Sequence, residues 1–255
     1  MDTLILGGDA RMSALAALLG KESLYVDDPQ TARKLLPEAR HVVTNNPPKI
    51  SLTLEAVRNL TSPEAKICLC GPKYYKGDDP RVIDLWTDEA LLRENARYTA
   101  EGALSAAMRA SQRTLKDLPV MIIGWGRIGS ALTEMLVALG ARVTVISHTP
   151  AHRNRAIERG AEAAAPEEMP IILKETLLIF STPPALMLDE EKLSKTNRNA
   201  IIIDLASPPY GVDLAAAWKL GLRAWREPGL PGRYCPLSAA EALLKAMKRG
   251  GYRHD

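Results

Sequence analysis

Three glycines at G-x-G-x-x-G spacing, Gly124, Gly126 and Gly129, stand between an apolar run, Val120–Ile123, and a stretch with apolar residues at helical spacing, Ser130–Leu139. A second apolar run, Ala141–Ile146, follows. Strand before and helix after is what makes this spacing specific for a dinucleotide turn. Gly124 lets the chain turn, Gly126 leaves room for a pyrophosphate at the backbone, and Gly129 lets the helix pack on the strand. The helix N-terminus, with Arg127 and Ile128, offers free N–H groups and a positive dipole end to phosphate. A glycine turn that binds nothing is the bland alternative, and the flanking βαβ pattern weighs against it.

The strand ending at Ile146 decides which nicotinamide cofactor to expect. NAD sites usually place Asp or Glu there to hold the ribose 2′-hydroxyl. This chain has Ser147, His148 and Thr149, then Arg153 and Arg155. Hydroxyls and guanidinium groups suit a 2′-phosphate, so NADP is expected over NAD. The alternative is that both arginines are ordinary exposed helix charges. Ser181, Thr182 and Pro183 follow another apolar run, Leu177–Phe180, and Leu205 and Ala206 follow Ala200–Asp204. Loops after parallel strands gather on one edge, so these residues are expected beside the cofactor.

Hydride transfer is the chemistry such a site implies, and the chain must then hold a substrate and accept a proton. His41, His148, His152 and His254 are the four histidines, and none falls between Ser181 and Cys235. That absence argues against 2-hydroxyacid dehydrogenase activity, which needs a base by the nicotinamide. Asp204 and Glu101 are the candidate proton acceptors. Asp204 equally suits a structural acceptor for loop N–H groups, and Glu101 a solvated helix carboxylate. Asp9, Arg11, Arg233 and Ser207 are the candidate substrate contacts, although Asp9 also suits a simple helix cap. Asn45 and Asn46 end another strand and read first as turn residues. Cys68 and Cys70 lie in an apolar run and read as buried strand residues, not as metal ligands, so no metal is expected.

The elements that position these groups alternate along the chain. Strands are expected at Thr3–Leu6, Ser23–Val26, His41–Thr44, Lys66–Leu69 and Val82–Trp86, with helices at Met12–Leu19, Gln30–Leu36 and Leu52–Leu60. Thr87–Leu118 reads as one or two helices, Leu214–Leu220 and Ser238–Lys248 as helices, and Arg223–Trp225 as a strand. The fold class is α/β: two Rossmann-like domains with parallel sheets flanked by helices and a cleft between them. The expected division is a substrate-side domain over 1–96, a connecting helix over 97–118, an NADP-binding domain over 119–236, and a C-terminal helix and tail over 237–255. Apolar residues make up 46% and charged residues 25% of the 255, the balance of a globular protein. Net charge is only +3, from 33 basic and 30 acidic residues, so neither nucleic acid nor a membrane surface is an expected partner. No apolar run nears the roughly 18 residues of a spanning helix. The opening MDTLILGGDARM lacks a basic signal-peptide region, and cytoplasmic residence is the expectation.

Five motifs occur in order: GGDAR at Gly7–Arg11, AEGA at Ala100–Ala103, GWGRIG at Gly124–Gly129, IIIDLASPPYGVD at Ile201–Asp213, and EPGLPGRYCP at Glu227–Pro236. Together they resemble the dipicolinate synthase A subunits, over essentially the whole chain. The resemblance implies an NADP-dependent oxidoreductase that converts dihydrodipicolinate to dipicolinate, pyridine-2,6-dicarboxylate, in sporulation. It also implies a small dicarboxylate substrate and a partner flavoprotein (the B subunit); the sequence leaves a homo-oligomer open. Three departures stand out. The first domain looks shorter. Leu237 replaces a family lysine after PGLPG. Pro208-Pro209-Tyr210 replaces a smaller Pro-Gly-Gly type run. A dianionic substrate calls for cations, and Arg11, Arg127 and Arg233 are the arginines placed at suitable loops. Two other readings compete: a further NAD(P)-dependent dehydrogenase of the 2-hydroxyacid or alanine type, and a non-catalytic NADP(H)-binding partner protein.

Overall fold

The computed structural model describes residues 2–71 and 74–253, so His254 lies outside the described residues. The chain divides into two compact units, residues 1–98 with 231–255, and residues 99–230. In chain order the first part holds β1 (Thr3–Leu6), α1 (Ala10–Leu19), β2 (Ser23–Val26), α2 (Pro29–Leu35), β3 (His41–Thr44), α3 (Leu54–Leu60), β4 (Lys66–Leu69) and β5 (Val82–Asp84). Helix α4 (Glu89–Ser111) runs from one unit into the other. The second unit holds β6 (Pro119–Ile123), α5 (Arg127–Ala138), β7 (Arg142–Ile146), α6 (Pro150–Glu158), β8 (Glu162–Ala164), α7 (Met169–Ile172), β9 (Leu178–Ser181), α8 (Glu190–Ser194), β10 (Ile201–Asp204), α9 (Leu214–Lys219) and β11 (Arg223–Arg226). The chain ends with α10 (Leu230–Tyr234) and α11 (Pro236–Arg249).

The first sheet is parallel throughout, in the order β2-β1-β3-β4-β5. Its central strands β1, β3 and β4 bury Thr3–Leu6, Val42–Thr44 and Ile67–Leu69, as a sheet covered by helices on both faces requires. Short polar caps start its helices: Asp9, Asp28 and Thr53 accept from Arg11 N, Thr31 N and Ala56 N at 3.1, 2.6 and 3.1 Å. Asp84 accepts from Trp86 N and turns the chain, which ends the fifth strand two residues before the expected Trp86. Helix α11 belongs to this unit. Its small and apolar stripe, Ala239, Ala242, Leu243 and Ala246, packs into the core formed by Met12, Leu15 and Leu19 of α1. The sequence reading sets this helix apart as a tail, because nothing local says where a terminal amphipathic stripe will dock. Cys68 and Cys70 are buried in the same core, and burial pushes the Cys68 thiol up to about 12.

The second sheet is also parallel, in the order β8-β7-β6-β9-β10-β11. That is the doubly wound order of a dinucleotide-binding sheet. The chain changes winding direction between β6 and β9, and ligands bind at the strand ends of such a switch point. Ile146, Ile123, Ser181, Asp204 and Arg226 pair in register, so they form one row at the carboxyl edge. β8 and α6 are additions to the expected elements. β8 has three residues, too few to show a period, and Pro150 opens α6 at its first turn, where a missing N–H costs nothing. No helix among the described residues is long and apolar enough to cross a membrane.

Candidate dinucleotide site

Each glycine of the turn is required for a different reason. Gly124 has φ +95°, and a Cβ there would lie 2.6 Å from Thr182 Oγ1. A Cβ on Gly129 would lie 2.2 Å from Gly124 O, a backbone atom that cannot swing aside. Around Gly126 there is open space: nothing comes within 4 Å of a Cβ built on it. Gly126 is also the N-cap of α5, so the gap faces the first N–H groups of a 12-residue helix. The helix starts at Arg127, three residues earlier than its apolar period suggests. Its first turn, Arg127 and Ile128, carries no periodic signal because it faces the turn.

This opening leads into a cavity of about 420 Å³. Gly124, Gly126, Ser147, His148, Thr149, Thr182 and Pro183 line it, together with Trp125, His152 and Met187. Thr182 fixes the far wall by donating from N and Oγ1 to Ile123 O, at 3.1 and 2.9 Å. On the near wall Ser147 Oγ accepts from Thr149 N at 3.3 Å and lies 3.4 Å from His152 Nδ1. Arg153 Nη1 donates to the Ser147 and His148 carbonyls at 2.7 and 3.0 Å, which ties the guanidinium to two lining residues although Arg153 itself does not line the cavity. Among the described residues no carboxylate lines the cavity. The geometry fits a dinucleotide: open space at Gly126 for the pyrophosphate, with hydroxyl, imidazole and guanidinium groups at the β7 end.

The loop after β10 is built around Asp204, which is 1% exposed. Its carboxylate accepts from Ala206 N at 3.1 Å and from Gly211 N at 3.2 Å, and Arg226 Nε lies 3.6 Å from Oδ2. Both oxygens therefore shape the loop. Ser181 Oγ is buried under Gly211 and has no hydrogen-bond partner among the described residues, so it sits beneath the loop and not in the cavity wall. Leu205 and Ala206 lie along the loop, and Ser207 is exposed at its crest. Tyr210 has φ +73°, a conformation that costs an L residue roughly 1–2 kcal/mol. The Arg226 guanidinium stacks 3.8 Å from the centre of its ring. Glu101 is exposed on α4.

In the first unit the carboxyl ends of β1 and β3 carry the remaining candidates. Asp9 caps α1 and also grips Arg11 in a fork, Nε–Oδ1 2.8 Å and Nη2–Oδ2 2.7 Å. Burial opposes ionisation of Asp9, but the hydrogen bond and charge of Arg11 outweigh it and hold the carboxyl below its usual range. Arg11 Nη1 turns to Asn95 Oδ1 at 3.5 Å. The expected carboxylate fork of Arg11 is thus filled by Asp9. Gly232 of the PGLPG turn presses on the same carboxylate, since a Cβ there would lie 2.6 Å from Asp9 Cγ. Arg233 and Arg127 are exposed. Asn45 is buried and donates to Cys70 O at 2.6 Å.

Residues 90–209 match the family model of the D-isomer specific 2-hydroxyacid dehydrogenase NAD binding domain. Over 169 residues the chain is 30% identical to the A subunit of dipicolinate synthase from Bacillus subtilis (strain 168). Over that stretch the chain is similar to the dipicolinate synthase A subunits. The matched stretch is 66% of this chain and 57% of that relative. Solved structures of the same subunit superpose closely: that of Bacillus halodurans at 22% identity and TM-score 0.82, covering 99% of this chain and 98% of the other, and that of Bacillus subtilis at 20% and 0.79, covering 98% and 95%. The apo-structure of D-lactate dehydrogenase from Escherichia coli shares the fold at 15% identity and TM-score 0.65, covering 97% and 95%.

The match likens most of the second unit to a nicotinamide-binding domain of the dehydrogenase kind, which supports oxidoreductase chemistry. It does not bring a histidine to the strand-end loops of this unit: the 2-hydroxyacid dehydrogenase match concerns the NAD-binding domain, and residues 181–235 contain none. Sequence reasoning marked Tyr210 only as part of a departure from the resemblance and passed over Arg226. They are 16 residues apart, and only the register of β10 on β11, with Asp204 opposite Arg226, brings them together.

Proposed function

We propose that this protein is an NADP-dependent oxidoreductase that oxidises dihydrodipicolinate to dipicolinate, as its relative's name suggests. The observation that carries the cofactor reading is the wall at the β7 end, where Ser147 and Thr149 stand in place of a carboxylate, with Arg153 bonded to the carbonyls of the lining residues Ser147 and His148. A carboxylate there would accept from a ribose hydroxyl and repel a 2′-phosphate. Arg153 has one nitrogen on loop carbonyls, and its other N–H groups are available to a phosphate. Gly126 and the start of α5 would hold the pyrophosphate, and Thr182 and Pro183 would bound the nicotinamide half.

The cofactor, when bound, supplies the hydride acceptor. The chain must then take up one proton as the ring becomes aromatic. Of the two carboxylates singled out, Glu101 is exposed and assigned this work, whereas Asp204 is buried and positions the loop. A B subunit belongs to this reading as partner. A binding-only role is the second reading, favoured by Leu237, an apolar side chain 56% exposed at the position of the family lysine.

The test is to mix the purified chain with freshly generated dihydrodipicolinate and either NADP or NAD, following dipicolinate by its ultraviolet absorbance. Faster turnover with NADP is the expected result. A preference for NAD overturns the cofactor reading. No turnover, even when a B subunit is supplied, overturns the substrate.

A further inference from the structure

We propose that Arg226 is a carboxylate-recognition residue of the substrate site, held in place by Asp204 and Tyr210. The inference rests on the oxidoreductase reading above and names a group that the motifs do not. Arg226 ends β11, in the same edge row as Ile123 and Ser181 at the dinucleotide turn. Strands lie about 4.8 Å apart, so Arg226 stands roughly 14 Å along the edge from β6, past the cofactor wall formed by Thr182 and Pro183.

Its guanidinium is fixed on two sides. Arg226 Cζ lies over the ring of Tyr210, 3.8 Å from its centroid, and the Asp204 carboxylate faces Nε at 3.6 Å. Among the described residues neither Nη group has a partner, and the side chain is 37% exposed. A planar cation with one edge anchored and the other open is pre-organised for a bidentate carboxylate. The fold also accepts a left-handed backbone at Tyr210 to keep the ring there. Strain of this kind at a candidate site points to a role beyond loop closure. Arg11 by contrast has its fork filled by Asp9.

The experiment is calorimetric titration of the full chain, with saturating NADPH, using pyridine-2,6-dicarboxylate, pyridine-2-carboxylate and pyruvate as probes. Variants are Arg226→Gln, Arg226→Lys and Tyr210→Gly. Arg226→Gln is expected to weaken carboxylate binding by about 10- to 100-fold, the worth of a charge-assisted fork. Arg226→Lys keeps the charge and loses part of the affinity. Tyr210→Gly relieves the backbone and still weakens the carboxylate. NADPH affinity, measured separately, stays unchanged in all three. Equal carboxylate binding by wild type and Arg226→Gln overturns the proposal, and so does a wild type that binds none of the probes. A parallel loss of NADPH affinity also overturns it, since that marks a structural staple. If wild type takes pyruvate but no pyridine carboxylate, and Arg226→Gln loses it, the Arg226 assignment stands and the dipicolinate reading falls.

Discussion

Gly126→Ala and Gly129→Ala separate cofactor binding from folding within one turn. At Gly129 the new methyl would sit 2.2 Å from Gly124 O, where real contacts stay beyond 3.0 Å, so the helix must move off the strand by about 0.8 Å. Overpacking of this kind costs about 1–3 kcal/mol, and the better helix propensity of Ala returns just under 1 kcal/mol. For a chain of this size, each kcal/mol lowers the melting temperature by about 2–4 °C. Gly129→Ala should therefore melt several degrees low. At Gly126 the backbone has φ −84°, which alanine adopts freely, and the methyl enters open space. Its effect on melting should be small, since a lower unfolded-state entropy offsets a weaker cap. The methyl would however fill the space in front of the α5 N–H groups. Losing one charge-assisted hydrogen bond to phosphate weakens NADPH by about 10- to 100-fold. Melting curves with and without NADPH, and a fluorescence titration of the cofactor, read both quantities. Wild-type NADPH affinity in Gly126→Ala would refute the placement of the pyrophosphate at this turn.

Arg153→Ala should weaken NADPH by about tenfold and leave NADH unchanged, since one charge-assisted contact is lost to the 2′-phosphate alone; equal losses for both cofactors would assign Arg153 to loop support only. Asp204→Asn leaves Ala206 N, Gly211 N and Arg226 with a weaker acceptor and should lower the melting temperature by about 2–10 °C, whereas Glu101→Gln should keep wild-type melting and lose turnover. Wild-type melting in the first, or full turnover in the second, counts against the division of labour between them. Asp9 has a depressed carboxyl in the folded chain, so its contribution is present above the unfolded value near 3.9 and is lost as pH falls through the lower folded value. Urea midpoints of wild type and Asp9→Asn should therefore differ at pH 7, begin to approach at about pH 4 and converge only below the lower folded value; a constant gap would remove the Arg11 pairing as the cause.

Much of the architecture is written in short range. β1, β2, β3 and β4 occupy the residues their apolar runs mark, because turn residues bound each short run on both sides, although only β1 is buried at all four positions. Gly124, Gly126, Ser147, His148, Thr149, Thr182 and Pro183 meet at one cavity because they follow parallel strands that share an edge. What sequence spacing does not carry is the partner of a charge. Asp9 suits a cap or a site equally until Arg11, two residues on, folds back to its carboxylate. Asp204 suits a base or a structural acceptor until Gly211 N and Arg226 close on it. Such choices depend on rotamers and on register across the sheet, which local pattern does not encode.

The two departures nearest the resemblance motifs concern one quantity, the placing of positive charge. At 237, where the resemblance implies a cation, an exposed leucine stands. At 210, where the resemblance implies a glycine-type run, an aromatic ring stands, and it carries a guanidinium on its face. A glycine would adopt φ +73° without strain, so the loop does not need a tyrosine for its shape. The ring is what needs explaining, and fixing Arg226 is the work it visibly performs. On the proposed reading, a carboxylate that loses an ammonium on a flexible stem meets a rigid planar fork instead. The two bind differently: a point charge tolerates many approach angles, whereas a stacked guanidinium selects a coplanar carboxylate. A ring carrying its carboxyl groups in plane satisfies that geometry, and a substrate with a twisted carboxylate does not.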